Sequence, residues 1–239
     1  LKKIFKNRYY MTKFVKYTLK NAFNKNYKTK FPPSYPNEMM VKILSSSYYS
    51  KIIPKKFFDK KNKVIEVGSS SGNNLRFFID KKFDTHGIEI NKDMVKFGKK
   101  NLKRMGYKIP KIKIGHNTKI PYPNNYFDCL VSINTLHYSS GDDVDKALKE
   151  YKRVVKKGSI VYIETSGPKH FSRKSSSKIS ALKWKWKSRD FRNNFIFGFF
   201  SSKKQFKKAL EKNFSHVELF ERSEYSKIDL HFYIGICRV

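Results

Sequence analysis

Two short segments of the sequence hold residue types that could bind a nucleoside. The first, Val64–Asn74, passes from apolar residues through a turn of glycine and serine into polar residues. Gly68 and Gly72 have no Cβ, so the chain can turn sharply there and a ligand can approach the backbone. The free N–H groups at the start of a following helix can donate to a polar or anionic ligand group. The alternative is that both glycines only make a tight turn between a strand and a helix.

Glu89 is the key residue of the second segment, Gly87–Asn91. It follows the glycine turn by roughly 20 residues, the spacing at which a carboxylate of a doubly wound sheet accepts hydrogen bonds from ribose hydroxyls. A carboxylate here would also repel the 2′-phosphate of NADP. The alternative is a solvated strand end. Because both segments lie at predicted carboxyl ends of strands, together they predict nucleoside binding at a topological switch point.

The elements that must position these segments alternate along the chain. Apolar patterning predicts strands at 63–67, 85–90, 111–114, 126–133 and 159–165, with helices at 73–81, 93–105 and 142–155 between them. A capped helix at 201–212 and strands at 217–220 and 230–237 follow. Strands that alternate with helices predict an α/β fold with a parallel sheet covered on both faces.

The flanking regions have other patterns. Residues 1–30 predict a basic amphipathic helix that packs on the core or covers the site, the alternative being an interfacial helix on anionic lipid. Residues 31–36 predict a proline-punctuated linker, and Asn37 a cap for a helix reaching Tyr49. Within 166–190, Ser172–Lys178 predicts a polar, mobile loop. Lysine and tryptophan alternate in Lys183–Lys187, which predicts an edge strand or a loop with stacked rings.

Several motifs in order resemble those of class I S-adenosylmethionine-dependent methyltransferases, of the methyltransferase domain 11 type. They are Val64–Asn74, the strand end at Glu89, and segments 120–131, 134–137 and 148–158. The resemblance covers about residues 60–166. It implies a Rossmann-like, mostly parallel seven-stranded sheet with an antiparallel last strand, S-adenosyl-L-methionine as cofactor, and in-line methyl transfer. On this basis residues 1–55 are an N-terminal helical extension or lid, and 56–239 the methyltransferase domain with a substrate-side insertion at 166–200.

The resemblance also implies roles for single residues. Glu66, Gly68 and Gly72 would shape the methionine pocket, Glu89 would bind ribose, and Asn134 would lie beside the sulfonium. The full cofactor-binding set is Glu66, Gly68, Ser69, Ser70, Gly72, Asn73, Glu89, Ile90, His116, Asn117 and Asn134. Ser70 stands where the family has a glycine, which is tolerable if its backbone angle is ordinary. His116 stands where the family has an acid near the adenine amino group.

Catalytic and substrate residues are less well specified by the sequence. His137 would face the methyl-transfer channel and act as general base on a hydroxyl acceptor, or else be a structural histidine. The substrate candidates are Tyr35, Tyr138, His170 and Arg192, with aromatic residues and Asp190 from the insertion. Trp184 and Trp186 are interpreted as lid packing, with a substrate platform as the alternative. Asp128 is expected to bond the backbone, and no cluster of metal ligands is evident.

The net charge of +34 bears on the acceptor and partners. It permits an RNA methyltransferase, but 44 of the 53 basic residues are Lys rather than the Arg preferred for bidentate phosphate contacts. A low-GC genome would also enrich Lys, Asn, Ile, Phe and Tyr. We therefore expect a small-molecule, glycan or lipid-linked acceptor. RNA and a catalytically inactive Rossmann-like binding protein are the alternatives, and the oligomeric state is open.

The location is expected to be cytoplasmic. Cys129 and Cys237 are the two cysteines and show no disulfide or metal-binding spacing, which fits a reducing compartment. The sequence has no apolar run near the roughly 20 residues of a membrane span. Leu1–Lys6 is not followed by the apolar region of a secretory signal, so no such signal is expected.

Overall fold

The computed structural model describes residues 35–59, 61–188, 192–225 and 228–239. The predicted helix in 1–30 and most of the predicted linker lie outside these residues. The helices are α1 (Glu38–Ser45), α2 (Asn73–Asp80), α3 (Lys92–Arg104), α4 (Asp142–Val154), the short α5 (Phe171–Lys174) and α6 (Lys203–Glu211), with a 3-10 turn at Leu136–Tyr138. The strands of the main sheet are β1 (Lys63–Val67), β2 (Asp84–Glu89), β3 (Lys111–Ile114), β4 (Phe127–Ile133), β5 (Val155–Ser166), β9 (Ser215–Tyr225) and β10 (Asp229–Arg238).

The main sheet of the described residues has seven strands in the order β3-β2-β1-β4-β5-β10-β9. The five strands from β3 to β5 are parallel neighbours, and β10 is antiparallel to both β5 and β9. The last strand in the sequence is therefore inserted against the direction of the other six. The doubly wound, Rossmann-like sheet with an antiparallel last strand is confirmed.

The chain order of the strands creates the crevice. From β1 the chain moves outward through β2 to β3, and then returns to the other side of β1 to form β4 and β5. The connections leave β1 and β4 in opposite directions, so their carboxyl ends are not covered by a crossover helix. This is the switch point at which open α/β sheets bind ligands.

Two buried apolar clusters cover the two faces of the sheet. One includes Leu148 and Tyr151 of α4 and Phe206 of α6, and the other includes Ile43 of α1 and Phe78 of α2. Successive residues of the central strands alternate between the clusters, as expected for strands buried on both faces. The helix α1 is thus part of the core of the domain.

Helix α1 begins where the sequence predicts, but it is shorter than predicted. The Asn37 side chain accepts a hydrogen bond from the Met40 N–H, which confirms the N-cap. The helix ends at Ser45 instead of Tyr49, because the next residues form turns that bring Ile52 and Ile53 into the same core cluster. Asp128 accepts from the Lys63 N–H at 2.8 Å, which confirms its predicted backbone bond.

The insertion forms a second, antiparallel sheet from β6 (Ser176–Ser180), β7 (Lys183–Trp186) and β8 (Ile196–Phe197), in the order β6-β7-β8. The prediction of a loop at Ser172–Lys178 is wrong, because these residues form the end of α5 and the start of β6. The strand predicted at Lys183–Lys187 is confirmed as β7, but its predicted edge position is wrong, since β7 is the central strand. Trp184 and Trp186 are buried with Phe195, Phe197 and Phe199, as the packing interpretation expected.

Candidate cofactor site

The glycine turn follows β1 directly and has two left-handed residues. Gly68 has a φ of 78° and Gly72, which precedes α2, has a φ of 77°. A Cβ on Gly68 would overlap the Thr135 side chain, and one on Gly72 would lie 2.8 Å from Leu102 Cδ1. The N–H groups of Gly68 and Ser69 both donate to the Ile88 carbonyl, at 2.9 and 3.0 Å. Both glycines are therefore required by the turn, and the turn is fastened to β2.

Ser70 corrects one expectation. Its φ is 42°, so this position keeps the left-handed backbone for which the family's glycine is suited. A side chain with a Cβ is strained in this region by roughly 1–2 kcal/mol. The serine is thus accommodated at a cost and is not in an ordinary backbone conformation.

Glu89 is held in place by three backbone groups. Its Oε2 accepts from the Ser70 N–H at 3.2 Å, while its Oε1 accepts from Ile90 and Asn91 at 2.8 and 3.3 Å. Burial raises the pKa of Glu89, and these backbone donors oppose that shift. The carboxylate is fixed in orientation and bonded to the glycine turn, so the two motifs are parts of one structure.

A cavity of about 260 Å³ lies at the switch point. It includes eight of the residues that the sequence nominates for cofactor or substrate, namely Gly68, Ser70, Glu89, Ile90, His116, Asn117, Asn134 and Tyr138. Gly68 and Glu89 therefore face the same space, and among the described residues no bulky side chain fills the gap between them. Glu66, Ser69, Gly72 and Asn73 do not line the cavity.

Glu66 lies behind the turn in a buried polar network. Its Oε1 accepts from Asn74 Nδ2 at 2.7 Å, and its Oε2 is buried without a hydrogen-bond partner. Burial raises the pKa of Glu66 to about 8, and the charge of Glu89 adds to the shift. The Asn74 Oδ1 in turn accepts from the Asn37 N–H at 2.8 Å. The turn is thereby connected to the start of α1.

Asn37 also contacts Glu164 at the end of β5. Its Nδ2 lies 3.3 Å from both oxygens of this fully buried carboxyl group. Glu164 also accepts from Arg222 Nη2 and Tyr162 Oη, each at 3.1 Å. Burial raises its pKa, against the effect of the Arg222 charge. One asparagine thus joins the polar groups behind β1 to those at the end of β5.

His116 and Asn117, which follow β3, also line the cavity. The Nδ1 of His116 accepts from the Thr118 N–H at 3.2 Å, so the neutral ring carries its proton on Nε2. Asn117 is buried and its Nδ2 donates to Ser139 Oγ at 2.6 Å. A histidine in this state presents an N–H donor where the family's acid presents an acceptor.

The end of β4 supplies Asn134 and Thr135. Asn134 has a left-handed φ of 52°, and its buried Oδ1 has no hydrogen-bond partner among the described residues. Its N–H donates to the Glu164 carbonyl at 2.9 Å. Thr135 Oγ1 donates to the carbonyls of Val67 or Ile133, each 3.1 Å away, and so closes the wall beside Gly68. Asn134 thus offers an acceptor beside the cavity.

The two candidate histidines are buried outside the cavity lining. His137 stacks between Tyr138 and the insertion, at 4.5 Å from the Tyr138 ring and 6.4 Å from Phe199. Burial lowers its pKa to about 3, and its Nδ1 has no partner. The Nδ1 of His170 accepts from the Ser172 N–H at the start of α5, and burial lowers the pKa of His170 to about 4. Both rings are neutral at physiological pH.

The remaining substrate candidates are spread around the mouth. Tyr35 is exposed, and its carbonyl accepts from Asn73 Nδ2 at 3.0 Å. Tyr138 lines the cavity and packs on Phe197. The Arg192 guanidinium lies 4.2 Å from the Trp186 ring centroid. Asp190 and Phe191 lie outside the described residues.

Sequence reasoning missed several residues of the site. Val67, Met94, Gly115, Ile133 and Thr135 also line the cavity. Gly115 follows β3 directly, the position at which a strand end should have drawn notice. Asn37 and Glu164 gave no signal, because their contact joins residues 127 apart in the chain. Among the described residues no cluster of His, Cys, Asp and Glu could hold a metal ion.

The strand order is that of a Rossmann-like α/β fold, and its cavity lies between the glycine turn and Glu89. A family model described as a methyltransferase domain matches residues 65–163. The chain is 28% identical over 106 residues to an uncharacterized methyltransferase of Anoxybacillus flavithermus, covering 44% of this chain and 48% of the relative. It is 33% identical over 92 residues to a demethylmenaquinone methyltransferase of Bacillus velezensis, covering 38% and 39%. The matches thus span less than half of these relatives.

A solved structure agrees in fold over a longer range. An S-adenosylmethionine-dependent methyltransferase of Methanosarcina mazei superimposes with a TM-score of 0.59, covering 74% of this chain and 92% of that chain at 17% identity. Residues 65–163 are thus similar to a methyltransferase domain, and the described residues share the fold of this solved methyltransferase. Among the described residues, no helix has the length and apolar character to cross a membrane.

Proposed function

We propose that the chain transfers a methyl group from S-adenosyl-L-methionine to a small molecule, a sugar or a lipid-linked glycan. The observation that carries this proposal is that Gly68 and Glu89 line one open cavity at the switch point of the sheet. A glycine turn and a fixed carboxylate are the two features that a nucleoside needs, and here they face each other.

The residues of the cavity fit the cofactor. Glu89 has its backbone donors in place and would accept the ribose hydroxyls. Ile90 is partly exposed beside it and offers an apolar surface for the adenine, next to His116 and Asn117. The unpartnered Asn134 Oδ1 would lie near the methionine end. Glu66, Ser69, Gly72 and Asn73 would act by shaping the turn, since they do not line the cavity.

When bound, the cofactor supplies an electrophilic methyl group. The chain has to align the acceptor and exclude water, because proximity and orientation contribute much of the rate of such a displacement. Tyr138 and Asn134 lie where an acceptor would approach. The sequence nominates His137 as general base, but its ring lies outside the cavity lining and a pKa of about 3 makes it a weak base. The aromatic packing around it favours a positioning role.

The alternatives have their own support. The charge of +34 supports an RNA methyltransferase, and a steep salt dependence of RNA binding would promote that function. The relative named a demethylmenaquinone methyltransferase supports an acceptor other than nucleic acid. A binding protein without activity would follow if S-adenosylmethionine failed to raise the melting temperature. We also propose a cytoplasmic location, because Cys129 and Cys237 are free, buried thiols.

Calorimetry with S-adenosylhomocysteine tests the proposal. We expect wild type to bind with micromolar affinity, on the order of −8 kcal/mol. Glu89→Ala should lose at least tenfold, because two ribose hydroxyls lose their acceptor. Glu150→Ala is the control, since Glu150 bonds Arg153 and the Ile120 N–H away from the cavity lining. Equal affinity of wild type and Glu89→Ala would refute the placement of the ribose.

A further inference from the structure

The insertion is rich in basic residues and poor in acids. Between Glu164 and Glu211 the sequence holds a single acid, Asp190, whereas residues 167–200 alone hold nine Lys and Arg. Residues 94–127 also hold nine Lys and Arg, and no acid. The low number of acids is therefore not particular to the insertion, and what distinguishes the insertion is that its small sheet packs beside the cavity, where Phe197 contacts Tyr138.

In the small sheet, lysines and tryptophans lie on opposite faces. Along β7 the tryptophans are buried on one face, so Lys183 and Lys185 point to the other face, and Lys187 directly after the strand is exposed. In the described part of the chain, none of these three lysines forms an ion pair with a carboxylate. The outer face of the sheet is thus a row of ammonium groups that have no carboxylate partner among the described residues, and we name it the lysine face.

The arginines of the insertion are used differently. The Arg173 guanidinium lies 3.2 Å from the Trp184 ring centroid, and Arg192 lies 4.2 Å from that of Trp186. Stacking on buried rings places the guanidinium groups against the aromatic cluster. What the lysine face offers to a partner is therefore compact, hydrated, flexible cations, together with Ile179, which is 51% exposed at the end of β6.

We propose that the lysine face docks the protein on an anionic membrane surface and so brings the cavity to a membrane-borne acceptor. Single-stranded nucleic acid would need exposed aromatic rings for stacking, and both tryptophans of this sheet are buried. Lysines beside an exposed aliphatic side chain instead suit anionic headgroups. The lysine face and the cavity belong to one structure, because the Gly198 N–H donates to the His137 carbonyl at 2.8 Å and Phe197 packs on Tyr138.

Part of this inference rests on the proposed function, namely the link to a methyl acceptor. The docking itself is measured separately, with vesicles of phosphatidylcholine containing about 30% phosphatidylglycerol and with pure phosphatidylcholine vesicles. Wild type should bind the anionic vesicles, and binding should weaken from about 50 to about 250 mM salt. Each lysine near an anionic surface contributes about fivefold to the affinity. The variant K183Q/K185Q/K187Q should therefore bind these vesicles on the order of 100-fold more weakly than wild type.

The matched control removes the same charge elsewhere. Lys96, Lys100 and Lys103 are exposed on α3, which packs on β2 and β3 at the other end of the sheet. The variant K96Q/K100Q/K103Q should lose less than about fivefold. Equal losses in the two triple variants would overturn the proposal, as would tighter binding to a single-stranded RNA oligomer through the same lysines.

Both triple variants are expected to bind S-adenosylhomocysteine with the affinity of wild type. Vesicle binding without any cofactor binding would overturn only the methyltransferase activity.

Discussion

The regions that we propose for the cofactor and for the acceptor, named here the cofactor half and the acceptor half, are held together by different kinds of interaction. In the cofactor half, the groups that matter are fixed by backbone hydrogen bonds, such as those from Gly68 and Ser69 to the Ile88 carbonyl. The acceptor half consists of the 3-10 turn and the insertion, which packs on Tyr138 but does not line the cavity. Its cohesion comes from aromatic rings, such as Trp186 and Phe197 at 5.4 Å. The first half is polar and close to β1, and the second is apolar and distant from it in sequence.

This difference separates the tasks of the two halves. Backbone hydrogen bonds fix atoms to within a small distance, which a carboxylate needs in order to meet two hydroxyl groups. Aromatic packing tolerates changes of side chain as long as volume is conserved, so it can be altered for a new acceptor without disturbing the sheet. The cofactor half should therefore fail with single backbone changes, whereas changes in the acceptor half should stay local.

The largest effect is expected from Gly68→Ala in the cofactor half. The left-handed backbone and the overlap with Thr135 together should cost about 4 kcal/mol of unfolding free energy. Thr135 cannot move aside easily, because its hydroxyl lies between two carbonyl groups. Denaturant unfolding and calorimetry with S-adenosylhomocysteine would measure the loss of stability and of binding.

Gly106→Ala is the matched control for this substitution. Gly106 has a φ of 81°, but a Cβ there would meet nothing within 4 Å. We expect a loss of only about 1–2 kcal/mol, which is the backbone cost alone. If both variants lost the same amount, the contact between Gly68 and Thr135 would have no energetic importance.

Trp184→Ala tests the acceptor half. Removing this buried ring should destabilise the small sheet by about 3 kcal/mol, near the lower end of the range for large aromatic side chains. The affinity for S-adenosylhomocysteine should change less than about threefold, because the residues that line the cofactor half keep their backbone bonds. Protection of β7 amides from hydrogen exchange would report the local loss. A collapse of cofactor binding would show that the halves are coupled.

Glu66 gives the cofactor half a dependence on pH, which the substitution Glu66→Gln removes. The folded-state pKa of about 8 lies above the usual 4.5, so the native protein holds a proton that the unfolded chain releases in this interval. Wild-type stability is therefore lost as the pH rises from 4.5 towards 8. The stability advantage of the Glu66→Gln variant over wild type should grow by about 2–3 kcal/mol between about pH 5 and pH 7.

Glu150→Gln provides a control of opposite sign. The Arg153 guanidinium lowers the pKa of Glu150, so its ionised form stabilises the folded state at neutral pH and this contribution is lost on acidification. The Glu150→Gln variant should be less stable than wild type at neutral pH and approach it at low pH. Thermal unfolding at several pH values measures both variants, and parallel curves for Glu66→Gln and wild type would contradict the buried, protonated carboxyl.

The sequence was sufficient for the regular part of the molecule. Strands β1 and β3 have the predicted bounds, and α2, α3 and β2 differ by about one residue at their ends. The glycine turn and Glu89 could be paired by spacing alone, because the parallel strands that carry them are neighbours and close in sequence. Local structure of this kind can be predicted from hydrophobic periodicity and from turn residues.

The insertion and the polar network could not be predicted in this way. The pairing of β6, β7 and β8 depends on aromatic packing between residues that have no regular spacing in the sequence. The serines of β6 are typical of a loop and led to the wrong prediction for this strand. The contact of Asn37 with Glu164 joins distant parts of the chain and leaves no local pattern. The roles of His137, His170, Tyr35 and Arg192 stay predictions, because packing around a side chain does not reveal what it does during a reaction.

The smallest effect, and the finest test of the cofactor half, is expected from Ser70→Gly. The left-handed φ of 42° strains a residue with a Cβ, and glycine removes that strain while adding some freedom to the unfolded chain. The net gain should be about 0.5–1 kcal/mol, measured as a higher urea midpoint at unchanged slope. Ser70→Ala keeps the Cβ and should gain nothing, so an equal gain in both proteins would assign the effect to the hydroxyl group. Because the bond from the Ser70 N–H to Glu89 belongs to the backbone, cofactor affinity should stay within about twofold in either variant.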